Sequence, residues 1–361
     1  MKTKRNGEID LLRFLCAAVI VIHHFNELFP SDLMVHGYTF VKFFFMVSGY
    51  LMVCSAEKLG DLSRDPGAIA SATWSFILKK IGSFYPYYIA AILTQIILFY
   101  VILDYQGILA ILKILTESVP ALTLTFYGFN THTALYTSGS WYLSVMVIAL
   151  FVLFPLVLRY RDLGTKVILP LLSIFILGYM NYSFGTVSTQ TAWGGICAAA
   201  LLQGMGQISL GASLRPLVKH LQSSPRWLAM TKDLAVNLVI TVLKIACYFV
   251  AFYHAQCGTY QDIHVLLLLA VGLLLSFSGG GFVIPACRVT RYLGRISLPV
   301  YLFHNYFGYA VYYALMPFAI TPVRCLIISL CAIIGSAIAM YPVDICTKKL
   351  VSAFRRKFPT V

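Results

Sequence analysis

The chain is short of charge, and shortest of acidity. Of its 361 residues only 11% are charged, and Asp and Glu together number 13 against 27 Lys and Arg. A water-soluble domain needs far more charge to cover its surface, so that class is excluded. Paired cysteines are missing too. Nine cysteines occur without any CxxC spacing, and most fall inside apolar runs (Cys16, Cys54, Cys197, Cys247, Cys331). That pattern suits buried free thiols and argues against a metal centre or a disulfide framework. Internal repeats and low-complexity tracts are absent, and no polar stretch is long enough for an appended domain. Residues 1–361 are therefore expected to form a single membrane-embedded unit.

What is present is hydrophobicity, at 60% of all residues and a mean hydropathy of +0.82. Met1–Arg5 is basic and precedes an apolar stretch, as in a secretion signal. The stretch is long, however, ends in His-His-Phe-Asn-Glu and lacks a small-x-small cleavage pattern, so it reads as a retained first span. A window of about 19 residues gives ten candidate spans, near 9–29, 37–55, 82–103, 140–159, 167–184, 192–214, 234–254, 262–283, 296–316 and 323–345. The predicted fold class is all-α, a polytopic membrane protein of about ten transmembrane helices.

The basic residues fix a direction. Lys2, Lys4, Arg5 and Arg13 lie at the amino terminus. Lys58, Arg64, Lys79 and Lys80 follow in the second connection, and Arg159, Arg161 and Lys166 in the fourth. Then come Arg215, Lys219, Arg226 and Lys232, next Arg288, Arg291 and Arg295, and last Lys348, Lys349, Arg355, Arg356 and Lys357. These make 23 of the 27 basic residues, all on alternate connections that include both ends. The positive-inside rule puts both termini in the cytoplasm. Gly107–Phe126 is hydrophobic but interrupted by Lys113, Glu117 and Pro120; as an eleventh span it would invert every later loop. A re-entrant or interfacial segment is expected there. The net charge of +14 sits on short loops at span ends, where it sets topology and meets anionic lipid; no nucleic-acid partner is implied.

Ionisable residues inside the spans are the candidates for chemistry, because each costs on the order of 3 kcal/mol in hydrocarbon even on the lenient insertion scale. Arg13 and His24 stand eleven residues apart in the first span. A helix turns about 100° per residue, so the pair is offset by only about 20° and separated by a rise of about 16 Å. Asp10 and Glu27 fall near the same stripe, and Glu27 is close enough to orient an imidazole or raise its basicity. His23 points some 100° away from His24. Imidazole suits proton transfer near neutrality, which makes His24 the candidate catalytic base.

Other constellations are weaker. Ser48-Gly49 is a small pair that permits close helix approach, expected here against the first span. Lys79 and Lys80 precede the third span, where they serve either topology or the phosphates of a bound donor. Trp141-Tyr142-Leu143 opens the fourth span. Tyr301-Leu302-Phe303-His304-Asn305 lies in the ninth, where His304 either lines a cavity or holds a helix contact. Lys244, mid-span, is expected to face the bundle interior. Ser278-Gly279-Gly280-Gly281 is either a phosphate nest or, as favoured, a flexible loop.

In this order the pieces resemble the integral-membrane acyltransferase-3 family. The resemblance rests on Asp10-Leu11-Leu12-Arg13 with ten residues to His24, Phe43-Phe44-Phe45-Met46-Val47-Ser48-Gly49-Tyr50, the basic-then-Tyr85-Pro86 entry to the third span, Trp141-Tyr142-Leu143, and Ile296-Ser297 through His304. It implies a stand-alone member without the hydrolase-like domain that some relatives append. It also implies that His24 is the essential histidine, Arg13 its cytoplasm-side companion, and the basic residues before the third span part of an acyl-CoA site. Four positions depart from the family pattern. Lys80 and Ser83 stand where arginines are common, with Lys79 or Arg295 as candidate substitutes; Met146 stands where many members carry glutamate, and Lys42 where an acidic residue is often found.

The implied function is O-acyl transfer at the plasma membrane. An acyl group, acetyl by default, would pass from cytoplasmic acyl-CoA to a hydroxyl of a cell-surface or lipid-linked sugar. His24 would be catalytic, and Arg13, Lys79, Lys80, Ser48, Tyr301 and His304 would bind substrate. Asp10, Glu27 and Trp141 would support them. The partners are acyl-CoA as donor substrate, a carbohydrate or glycolipid acceptor, and membrane lipids; no permanently bound cofactor and no metal is expected. His24 either deprotonates the hydroxyl or carries the acyl group itself. The alternative is a transporter or flippase of a lipid-linked glycan, and a third possibility is a scaffold that no longer catalyses.

Overall fold

The structure, a computed structural model, describes residues 5–28, 32–102, 119–129, 140–189, 192–258, 261–315 and 321–357, with 109, 112 and 116 as isolated positions. Among the described residues the only extended pairing is one isolated bridge, Trp193 with Ala198, and helices joined by turns and short loops make up the rest. Ten long helices follow one another among these residues: α1 (Gly7–Leu28), α2 (Val41–Ala56), α3 (Pro66–Ile102), α4 (Ser140–Arg159), α5 (Leu169–Phe184), α6 (Ala199–Ser223), α7 (Leu234–Cys257), α8 (Asp262–Ser278), α9 (Arg288–Leu315) and α10 (Pro322–Lys357). Each overlaps one apolar run of the sequence. Most of the segment around Gly107–Phe126 lies outside the described residues.

Several helices outrun their apolar windows, and they do so at one end. α3 and α9 start early, at Pro66 and Arg288, whereas α6 and α10 finish late, at Ser223 and Lys357. Every such extension lies toward the basic connections, where water can solvate the added polar turns. Local signals mark the ends. The Asp233 carboxylate accepts the Val236 backbone N–H (2.9 Å) to cap α7. Gly258 and Gly279 close α7 and α8 in the left-handed conformation (φ 65° and 77°), where a side chain would be strained.

Among the described residues, five helical stretches are long and apolar enough to cross a membrane: Gly37–Leu59, Trp141–Arg159, Arg161–Phe184, Leu234–Cys257 and Pro322–Lys349. The last three expose rows of large apolar side chains, among them Ile174, Phe175, Val239, Phe249, Ile327 and Ile334, and so present an oily outer face. α1, α6 and α9 are less apolar for a physical reason: they bury the polar groups. Glu8, Asp10 and His23 of α1, Gln203 and Gln207 of α6, and Ser297 and His304 of α9 are all buried.

The packing places α1 between α9 and α10. Ala17, Val21 and Phe25 of α1 meet Ile296 and Val300 of α9 and Cys325, Ile328 and Ala332 of α10. The small pair Ser48-Gly49 does not serve the contact expected of it. α2 packs mainly along α6 and touches α1 little, because the two glycines that allow close approach are reciprocal across α2 and α6. A Cβ on Gly49 would strike the Ile208 carbonyl, and one on Gly211 the carbonyl of Met46.

Buried ions pin the ends of the bundle. Lys244 faces the interior as its mid-span position suggests. Its Nζ donates to Glu8 Oε2 (3.0 Å) and to the Gly280 and Phe282 carbonyls (3.1 and 3.0 Å), while Ser276 donates to Glu8 Oε1 (2.6 Å). The Ser278–Gly281 turn is thus a set of carbonyls around an ammonium, packed against Trp227, and not a phosphate nest. Elsewhere Lys42, wholly buried, lies 3.5 Å from Asp262, which also accepts from Thr186 (2.6 Å). Arg215 pairs with Glu57 at 2.6 Å and ties α6 to the end of α2.

Removing one partner of a buried pair strands the other charge, at a cost of about 3–5 kcal/mol. Lys244→Met is therefore expected to lower the melting temperature in detergent sharply, whereas the double variant Glu8→Gln, Lys244→Met recovers most of the loss. An additive double variant in a thermal-shift assay would contradict this account.

Candidate functional site

Five helices converge where α1 crosses α9. α1 contributes Arg13 and His24, α9 Tyr301 and His304, α2 Ser48 and Phe44, α4 Tyr142 and Met146, and α3 Lys80. The α1–α9 approach is close because Gly308 leaves room for the Phe25 ring and Gly294 for the Asp10 carboxylate; a Cβ on either would collide. This brings the two intramembrane histidines together. The His24 and His304 rings stack at 5.2 Å between centroids with planes 27° apart.

The two imidazoles differ in setting. His24 is partly exposed, and His304 wholly buried. His304 Nδ1 lies 2.9 Å from the Tyr301 carbonyl and 3.2 Å from that of Val300. Carbonyls only accept, so Nδ1 carries the hydrogen and Nε2 keeps a lone pair. His23 is buried and turned elsewhere, with its ring 5.4 Å from that of Tyr38. The helical register that separates His24 from His23 thus separates their environments too.

A polar and aromatic row leads away from the histidines. The Tyr301 ring lies 6.3 Å from His304 and meets the Tyr142 ring edge-on at 6.0 Å and 82°. Tyr142 OH is 3.3 Å from Ser48 Oγ, and Ser48 in turn donates to Met146 Sδ at 3.5 Å. Arg13 lies within electrostatic reach of Tyr142 and Asp10, and Lys80 within reach of Arg13. Two like charges held within reach of each other have one natural counterpart, an anion. Surrounding protein, and then the Arg13 guanidinium, push the Lys80 ammonium down to about 8.

Other residues singled out in the sequence stand apart from this row. Lys79, a helical step from Lys80, is exposed. Asp10 accepts from Arg5 (2.5 Å) as well as lying near Arg13. Trp141 is buried against Phe45 and Tyr127, so in its motif it is Tyr142 that faces the row. The Glu27 side chain lies outside the described residues. Arg295, a candidate substitute for a donor-site arginine, is engaged by Asp344, which also takes the Tyr87 hydroxyl. Ser83 turns back on the Lys80 carbonyl at 2.6 Å. Among the described residues no three His, Cys, Asp or Glu side chains gather as a metal site would require.

Sequence reasoning missed Tyr142 and Glu8. The signal for Tyr142 was available: Tyr142 and Met146 are four residues apart, on one face of α4. Glu8 gave no such signal, since its partner Lys244 is more than two hundred residues away.

A family profile described as an acyltransferase domain matches residues 6–341. The chain belongs to the acyltransferase-3 family. No match was found among curated proteins or among solved structures. The protein is thus a membrane acyltransferase, and the transporter reading falls away as its main activity. In this acyltransferase the Asp10–Arg13–His24 stripe, Ser48 and the Tyr301–His304 pair all lie within the matched region.

Tyr142→Phe keeps the ring contacts but removes the hydroxyl that reaches Ser48. A loss of about 1 kcal/mol in stability is expected from one buried hydrogen bond. Acyl transfer should fall only if the hydroxyl also touches substrate, so a thermal-shift assay run beside a transfer assay separates the two effects. Unchanged stability would place the hydroxyl outside the bond described.

Proposed function

We propose that this acyltransferase moves an acyl group, acetyl by default, from cytoplasmic acyl-CoA to a hydroxyl of a cell-surface or lipid-linked sugar at the plasma membrane. In this reading ten spans cross the bilayer with both termini inside. The carrying observation is the stacked His24–His304 pair joined through Tyr301 to Tyr142 and Ser48, with Arg13 and Lys80 within electrostatic reach of that group. Cations at one end suit the phosphates of a nucleotide-bearing donor. Mostly aromatic side chains in the middle suit an uncharged arm. At the far end, partly exposed imidazole suits the reacting carbonyl and hydroxyl.

The chemistry then follows from what each group can do. Lys80 and Arg13 anchor the donor so that its thioester lies beside His24. The imidazole either removes the acceptor proton, so that the alkoxide attacks the acyl carbon, or attacks that carbon itself and passes the acyl group on. In both routes the C–S bond breaks, a C–O bond forms, and the thiol leaves with the proton.

His24→Ala is expected to lower acyl transfer by a factor of at least about 100 in purified protein, the lower range for loss of a general base. Normal consumption of radiolabelled acetyl-CoA by that variant would sink the reading.

A pH dependence also follows. Lys80 is charged below about 8 and neutral above it, and only the charged form pairs with phosphate. Donor affinity should therefore be highest below that pH and decline as pH rises through it. Lys80→Arg, which stays charged, should flatten the decline, and Lys79→Met should leave it unaltered. Titrating CoA binding by calorimetry between pH 6.5 and pH 9.5, about 1.5 units either side of that midpoint, tests both statements. A wild-type affinity that is flat across the range would remove Lys80 from the donor site.

A further inference from the structure

His304 has more hydrogen-bonding capacity than the protein uses. Its Nδ1–H is committed to the Tyr301 and Val300 carbonyls, which fixes the tautomer. The ring is gripped by Tyr301 on one side and by Phe25 edge-on at 6.4 Å and 85°. It therefore cannot turn to seek another partner. Nε2 is fully buried and, among the described residues, has no hydrogen-bond partner. A buried acceptor left empty is costly, so its natural partner is a donor brought in by a ligand.

The stacking geometry says what kind of donor. A hydrogen bond to an imidazole nitrogen lies in the plane of the ring. The His24 and His304 planes are inclined by only 27° and stacked at 5.2 Å, so they do not meet within reach of both rings. One hydroxyl therefore cannot serve both imidazoles. Two hydroxyls on neighbouring carbons can, since they reach in the same direction from one molecule.

We propose that His304 Nε2 receives the hydroxyl next to the one that is acylated, so that the site selects polyols with adjacent hydroxyl groups over lone alcohols. The proposal rests on the acyl-transfer reading above and assigns its acceptor specificity. In the reaction the O–H bond of the acylated hydroxyl breaks, its oxygen bonds the acyl carbon, and the C–S bond breaks. His24 delivers the proton to the departing thiolate. His304 neither gains nor loses a proton; it holds the neighbouring hydroxyl and so fixes which oxygen faces His24.

The test uses the full-length purified protein with radiolabelled acetyl-CoA and methyl glucopyranoside, set beside its monodeoxy derivatives and a monohydric alcohol. The ester position is read by NMR. Loss of the hydroxyl adjacent to the acylated one should lower kcat/KM by about 10- to 100-fold in the wild type, as for a site built to bind a hydroxyl. In His304→Ala that penalty should shrink to within about threefold, whereas His304→Gln, whose amide oxygen still accepts, should keep part of it. Size-exclusion profiles in detergent check that both variants fold. A structural role alone would lower all rates together and leave the discrimination intact, and that result overturns the proposal. So does a wild type that acylates the deoxy sugars or the lone alcohol equally well. Thioester cleavage with transfer to none of the polyols overturns it while leaving the acyl-transfer reading in place. Absence of any thioester cleavage overturns both.

Discussion

The approach of α1 to α9 is the contact on which the rest of the arrangement depends. Two glycines make it possible. Gly294 admits the Asp10 carboxylate and Gly308 admits the Phe25 ring, so the helices meet closely enough for His24 and His304 to stack. Phe25 is the residue after His24, and its burial in the α1–α9–α10 core sets the rotation of α1. With that rotation fixed, His24 faces His304, His23 faces Tyr38, and Arg13, eleven residues earlier, comes round to the same wall. A side chain at either glycine would push the helices apart and dissolve the site before any catalytic residue was altered.

A second constraint shapes the bundle: polar groups taken out of water must find partners within the protein. Many of them sit on α1, α6 and α9, while α5, α7 and α10 turn oily faces outward and point their few polar groups, such as Lys244, inward. The long-range ion pairs follow the same logic. Lys244 gathers three acceptors, from α1 and the turn after α8, around one ammonium, and Lys42 lies against Asp262 across α2 and α8. Lys42 on α2 thus finds its carboxylate on the opposing helix, which keeps the charge balanced inside the bundle.

Much of this was legible in the chain. Long apolar runs and one-sided charge led to the helices, because hydrocarbon permits few alternatives to a helix and because basic loops are sorted by side. The 3.6-residue period placed Arg13 and His24 on one stripe and His23 off it. Less legible were the pairings. Ser48-Gly49 signalled close approach but not its direction, since a small residue admits any partner; Gly211 on α6 decided it. Lys79 and Lys80 read alike in sequence, yet one step of helix leaves the first exposed and brings the second near Arg13. Trp141 drew notice as the larger aromatic, but its neighbour Tyr142 carries the hydroxyl that meets Ser48.

By itself the sequence determined the helical class, the membrane setting, the family and the stripe holding Arg13 and His24. These are properties of periodicity, composition and motif order, and each is written within a short stretch of chain. Tertiary structure alone decided that His304 stacks on His24, that Tyr142 and Ser48 join the row, and that Glu8 answers Lys244. Those facts join residues separated by dozens to hundreds of positions, and they hold because rigid helices meeting at glycine contacts leave each side chain a single direction in which to point.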